Sequence, residues 1–141
     1  MTTHEHLRLP AYVRRARQRR QISQSELAQK CEVSRSYVCS IEAGRVAGPA
    51  VDLMGKLIEA MTVTPREADT LHRLAAQDRV MRVAAAELPS RAQRLLAACL
   101  EVERLLPDRD VEAWVELLEK TVQERLDFIV RVMRDEETAM T

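Results

Sequence analysis

Five arginines stand within seven consecutive positions, Arg14-Arg15-Ala16-Arg17-Gln18-Arg19-Arg20. A guanidinium keeps its charge at any ordinary pH and offers a planar fork of donors, so such a cluster suits phosphate or carboxylate partners. Taken alone it reads equally as a solvated helix face. Further along, Arg35, Ser36, Tyr37 and Ser40 put hydrogen-bonding side chains around apolar Val38 and Ile41. An ordinary surface helix would carry Glu and Lys at those outward positions. Short hydroxyls and a single guanidinium suit the recognition of donor and acceptor patterns better than the making or breaking of bonds.

Catalytic chemistry finds no footing. There is no glycine loop to cradle phosphate and no nucleophile set beside a base, so neither catalytic residues nor a cofactor are expected. Cys31, Cys39 and Cys99 are an odd number without metal-ligand spacing, and no metal site is expected. They fall at or beside apolar helix positions and read as buried thiols. His4 and His6 form a pair near the N-terminus without further ligands, and His72 reads as a helix-surface residue.

What must position the hydrogen-bonding residues is a set of helices. With 141 residues the chain fits one domain, or a small domain with an appendage. Apolar residues make up 46% but aromatics only 3%, so the core must be built from Leu, Val, Ala, Ile and Met. No stretch alternates apolar and polar residues long enough for a sheet, which leaves an all-α fold. No apolar run could span a bilayer and no apolar signal segment opens the chain, so a cytoplasmic location is expected. The formal net charge of zero hides an asymmetry: residues 1–82 hold 14 Lys/Arg against 9 Asp/Glu, and residues 83–141 hold 8 against 13. The two halves, +5 and −5, are expected to meet different partners.

Five helices are expected in the first part. The first runs from about Pro10 to Arg20. The second begins at Ser23, where Glu26 completes a capping box, and ends near Cys31. The third is capped by Ser34 and stops before Gly44, a residue suited to a left-handed C-terminal cap. Pro49 reads as the first residue of the fourth, whose Val51, Met54, Leu57, Ile58 and Met61 recur at helical spacing. Gly55 within it weakens the helix and implies close helix packing at that point. Thr64-Pro65-Arg66-Glu67 opens the fifth, which carries Leu71, Leu74 and Ala75 and extends toward Ala84-Ala85-Ala86.

Helices two and three are too short and too tightly joined to fold by themselves, because the entropy lost exceeds what so few buried side chains return. As a pair braced on helices one, four and five, they would hold one helix proud of the surface. That geometry places a helix in the major groove of duplex DNA, whose width admits one. With that support, Arg15, Arg19 and Arg20 read as phosphate-neutralising residues.

Gln24-Ser-Glu-Leu-Ala-Gln-Lys, Val33-Ser-Arg-Ser-Tyr-Val and Ile41-Glu-Ala-Gly-Arg together resemble the lambda-repressor/Cro (Xre-type) helix-turn-helix family. The resemblance covers roughly residues 8–77, about half the chain. It implies a five-helix DNA-binding domain over 1–82, with a recognition helix at about 34–42. It also implies that Ser34, Arg35, Ser36 and Ser40 read base edges, while Gln24, Tyr37 and Arg45 meet the phosphate backbone. Gln24 would in addition brace a side chain of helix three, and Glu42 would be structural, tied to Arg14 or Arg17 of helix one. Two positions depart from the family pattern. Glu32 stands where the turn usually has glycine, so it either accepts a positive φ or the turn differs. The loop before Pro49 is one residue longer than usual. For Arg35, a phosphate contact or a salt bridge to Glu32 is the alternative to base readout.

Residues 83–141 read as two further helices. Ala92, Leu95, Leu96, Cys99, Leu100, Val102, Leu105 and Leu106 mark a sixth, closed by Pro107. Val111, Val115, Leu118, Val122, Leu126, Ile129 and Met133 mark a seventh from about Asp110 to Glu136. Two helices cover each other only in part, so Leu96, Leu100, Trp114, Leu118, Val122, Leu126 and Ile129 are expected to form a dimer interface in a C-terminal hairpin. The sequence reading is therefore a homodimeric repressor on an inverted-repeat operator in double-stranded DNA. The alternative is an antitoxin or controller whose C-terminal helices bind a partner protein.

Overall fold

The computed structural model describes residues 6–140. Seven α-helices and, among the described residues, no strand make up the chain: α1 (Leu9–Arg19), α2 (Gln24–Lys30), α3 (Arg35–Glu42), α4 (Val51–Met61), α5 (Pro65–Glu87), α6 (Ser90–Leu105) and α7 (Asp108–Ala139). The chain divides into two compact units, Met1–Ala97 and Ala98–Thr141. α5 passes unbroken through residue 82, where the sequence reading sets a boundary, and the first unit reaches into α6.

Local side-chain caps set the starts of α2, α3 and α5. The Ser23 hydroxyl accepts from the Glu26 N–H at 3.1 Å, and the Glu26 carboxylate accepts from the Ser23 N–H at 2.7 Å. Thr64 and Glu67 make the same reciprocal pair at the start of α5. α1 is different, because no side chain near Arg8 caps it. Instead the buried Asp78 carboxylate, far away on α5, accepts from the Arg8 and Leu9 N–H groups at 2.9 and 3.0 Å. Burial pushes the Asp78 carboxyl above its ordinary pKa, against the pull of those two N–H donors and the Arg8 charge.

Around one core, α2 packs on α3, α1 on both α3 and α5, and α4 on both α2 and α5. Leu9, Val13, Leu27, Val38, Ile41, Leu57 and Leu71 are all sealed within it. Cys31 is buried there as expected, but Cys39 and Cys99 are only half-buried. Neither is sealed in the core, so the buried-thiol reading holds for Cys31 alone.

The α4 region corrects two further expectations. The helix starts at Val51 rather than Pro49, and its first intrahelical bond runs from the Met54 N–H to the Ala50 carbonyl at 2.9 Å. The Pro49 carbonyl accepts instead from Arg79 Nη1 at 3.0 Å, which ties the preceding loop to α5. Gly55 is exposed, and a Cβ built there meets nothing within 4 Å. The close approach is made by Gly48, where φ is +57° and a Cβ would lie 2.4 Å from the Ala75 carbonyl oxygen. Of the expected α4 core, Met54, Leu57 and Met61 are buried and Val51 is exposed.

α6 and α7 contain no buried residue. Leu96 and Leu100 are half-buried, whereas Trp114, Leu118, Val122, Leu126 and Ile129 are 41–58% exposed. Two helices of this length therefore seal no core of their own within one chain. No helix among the described residues is long and apolar enough to cross a membrane.

Gly55→Ala should stabilise the first unit by about 1 kcal/mol, because alanine is the better helix former and nothing stands in its way. Gly48→Ala should destabilise it by on the order of 2 kcal/mol through overpacking and backbone strain. Thermal unfolding followed by circular dichroism separates the two; equal shifts would contradict the assigned packing.

Candidate nucleic-acid interface

The geometry of α3 is fixed at its buried end. Glu42, its last residue, is 4% exposed, and its carboxylate takes a two-pronged contact from Arg17 of α1: Nε to Oε1 at 2.6 Å and Nη2 to Oε2 at 3.0 Å. Gln24 Nε2, at the start of α2, donates to the same Oε2 at 2.9 Å. Arg14 Nη2 donates to the Glu42 main-chain carbonyl at 3.1 Å. Arg17 also reaches the Ile22 carbonyl at 2.8 Å, so one guanidinium ties α1, the α1–α2 turn and α3 together. Burial alone would raise the Glu42 pKa. The Arg17 and Gln24 hydrogen bonds and the charges of Arg17 and Arg14 outweigh it and hold the carboxyl below its ordinary value. Of the two expected partners, Arg17 makes the close ion pair while Arg14 stands 3.8 Å away by its Nε.

The turn between α2 and α3 answers the question raised by Glu32. Its φ is +56°, so glutamate takes the conformation that glycine would adopt without strain. Lys56 Nζ of α4 meets its carboxylate at 2.6 Å, and that hydrogen bond and charge lower the Glu32 pKa. With Glu32 facing Lys56, the alternative in which Arg35 pairs with Glu32 is not what the chain adopts.

On the outward side of α3, Arg35, Ser36 and Tyr37 are exposed and Ser40 is half-buried. Arg35, Ser36, Cys39, Ser40 and Arg45 ring one shallow hollow. The Ser34 hydroxyl accepts from the Tyr37 N–H at 3.1 Å, so it caps the helix and keeps only its own O–H to donate outward. Gly44 at φ +74° turns the chain after α3 and brings Arg45 back beside it, where Arg45 Nη2 lies 3.7 Å from Cys39 Sγ. The sequence reading missed Cys39 as part of this face. The signal was available, since Cys39 stands one helical turn from both Arg35 and Ser36.

The arginine cluster sorts into different duties. Arg20, expected at phosphate, pairs with Glu67 of α5 at 2.7 Å and donates to the Ala16 carbonyl. Arg15 and Arg19 are exposed. At about 100° per residue, Arg19 lies roughly 160° around α1 from Arg17, and so points away from the side that meets α3. Arg15 lies about 160° around in the other sense. Arg14, with half its side chain exposed, is the exposed cluster member beside the end of α3, where Arg17 is buried against Glu42. Gln24, expected at the backbone and as a brace, does brace Glu42, and its second amide N–H is left over for another acceptor. The expected His4–His6 pair lies partly outside the described residues, and no group of three or more potential metal ligands occurs among those described.

Residues 13–67 match a family model described as helix-turn-helix, the lambda-repressor/Xre type that the sequence resembles. No curated protein and no solved structure matches the chain.

Removing the anchor should be costly. Glu42→Ala would leave Arg17 buried beside an empty space and lose about 3 kcal/mol of stability, measured by urea unfolding. The pH dependence has a definite sign. Because the Glu42 pKa is lowered by folding, its contribution is complete above the unfolded value near ~4.3 and disappears as pH falls through the lower folded value. Glu42→Gln should therefore flatten the acid limb of the stability–pH curve; an unchanged limb would remove Glu42 from that role.

Proposed function

We propose that the chain is a cytoplasmic, sequence-specific transcriptional repressor that binds an inverted-repeat operator as a homodimer. One observation supports this above the others: the outward face of α3 presents exposed Arg35, Ser36 and Tyr37 beside half-buried Cys39 and Ser40, and Arg35 makes no hydrogen bond or ion pair among the described residues. An exposed, unpaired arginine on this face is available for both acceptors of guanine in the major groove. Ser34, Ser36 and Ser40 read neighbouring edges, directly or through water. Gln24, Tyr37 and Arg45 flank this face and meet phosphates, while Arg15 and Arg19 add positive field from α1 without a place on the α3 side.

Paired copies set two such helices about 34 Å apart, one turn of the duplex, so the operator carries two inverted half-sites. Occupancy of that site excludes polymerase. The uncovered stripe on α7 supplies the dimer contact, and the acidic second half is kept away from DNA. The same stripe favours a second reading, an antitoxin or controller whose C-terminal helices hold a partner protein while the first unit regulates its own promoter. Stoichiometric co-purification of that partner distinguishes the two.

Arg35→Ala should cost about 1–3 kcal/mol of discrimination between the best operator and a scrambled duplex, with non-specific affinity nearly intact. Arg45→Ala should weaken both duplexes alike and reduce the slope of log K against log salt by about 1. Titrations at several salt concentrations on a site selected from a random library test both. Unchanged selectivity in the Arg35 variant would end base readout by that residue.

A further inference from the structure

The apolar stripe of α7 has a reversible spacing. Val111, Val115, Leu118, Val122, Leu126, Ile129 and Met133 follow steps of four, three, four, four, three and four. This order reads the same in both directions about Val122. The spacing also repeats every eleven residues, at Val111, Val122 and Met133, a period that keeps the stripe on one side of a nearly straight helix. From Val115 to Met133 every stripe residue is at least 40% exposed. The flanking apolar residues share almost the same centre, with Trp114 and Val132 on either side of it, and Leu117 and Phe128 likewise.

We infer that α7 pairs with α7 of a second copy, antiparallel, about a two-fold axis at Val122. In that arrangement Val111 faces Met133, Val115 faces Ile129, Leu118 faces Leu126 and Val122 faces itself. A two-fold interface demands that one patch complement itself; a parallel pair does so with any spacing, whereas an antiparallel pair needs a reversible stripe such as this one. Charge selects the same orientation. Residues 108–119 hold five acidic residues and one basic, while the segment facing them about Val122, 125–136, holds three basic and three acidic. A parallel pair would set the acidic segments side by side. The antiparallel pair sets each against a charge-balanced segment of its partner and so avoids that repulsion. This pairing rests on the homodimer reading above and deepens it by naming the helix, its direction and its centre.

The test is made on the full chain. Sedimentation equilibrium gives the association state, and oxidation of single-cysteine additions gives the direction, with the unsubstituted chain as baseline for its own thiols. Val122→Cys should form a disulfide-linked dimer. Val111→Cys alone should stay at baseline, but cross-link when mixed with Met133→Cys, since those positions lie about 33 Å apart along one helix and coincide only in opposed helices. Leu118→Glu should weaken the dimer at least ~100-fold with helicity unchanged, because it buries an uncompensated carboxylate against Leu126 on each side of the axis. Self-cross-linking of Val111→Cys overturns the antiparallel pairing while leaving the homodimer standing. A chain that sediments as a monomer at micromolar concentration overturns both, and a dimer insensitive to Leu118→Glu places the interface elsewhere.

Discussion

A single buried carboxylate, that of Glu42, decides where the outward face of α3 lies. It closes the C-terminal end of the helix and gathers donors from Arg17 on α1 and Gln24 at the start of α2. Hydrophobic packing of Val38 and Ile41 would hold α3 down, but apolar contact is non-directional and tolerates small rotations. A bidentate guanidinium–carboxylate pair tolerates far less, since both parallel bonds require one plane. Such a pair need not add net stability over an apolar replacement, because desolvating two ions is expensive. Its value here is geometric: the rotation of α3 about its own axis, and with it the direction of Arg35, Ser36 and Ser40, is fixed by an ion pair beneath them.

The second determinant is what keeps Arg35 unpaired. Glu32 is close in sequence and carries the right charge to capture it. The positive φ at Glu32 and the Lys56 ammonium of α4 direct that carboxylate elsewhere. A glycine in this turn would relieve backbone strain and would equally leave Arg35 unpaired. Glutamate therefore adds a link from the turn to α4, at the expense of strain in the left-handed region.

The second unit follows another logic. A 32-residue helix with no buried residue cannot owe its apolar stripe to the core of its own chain. Exposed leucine, isoleucine and valine along one side of a helix amount to a surface that water disfavours, and contact with another surface removes it. Dipole complementarity contributes a little, with Asp108 and Asp110 in the first turn. It does not account for the stripe. The opposed charges of the two halves complete the division: a basic part bearing the hydrogen-bonding face, and an acidic part bearing the apolar one.

Local physics made much of this legible from residues alone. Capping boxes at Ser23 and Thr64, the Ser34 cap and the left-handed Gly44 involve partners within a few positions, so the type and spacing of side chains determined them, as they did the outward polarity of α3 and the reversible spacing on α7. Tertiary structure decided the rest. It assigned Arg17 to Glu42 and Arg20 to Glu67, across 25 and 47 residues, and set Asp78 over the start of α1 from 70 residues away. It also moved the close backbone approach from Gly55 to Gly48 and brought Cys39 to the outward face. Periodicity tells which side of a helix is apolar. Which neighbour that helix meets, and which of several equivalent charges lies within reach of a buried partner, depends on how the helices cross, and crossing is a property of the packed whole.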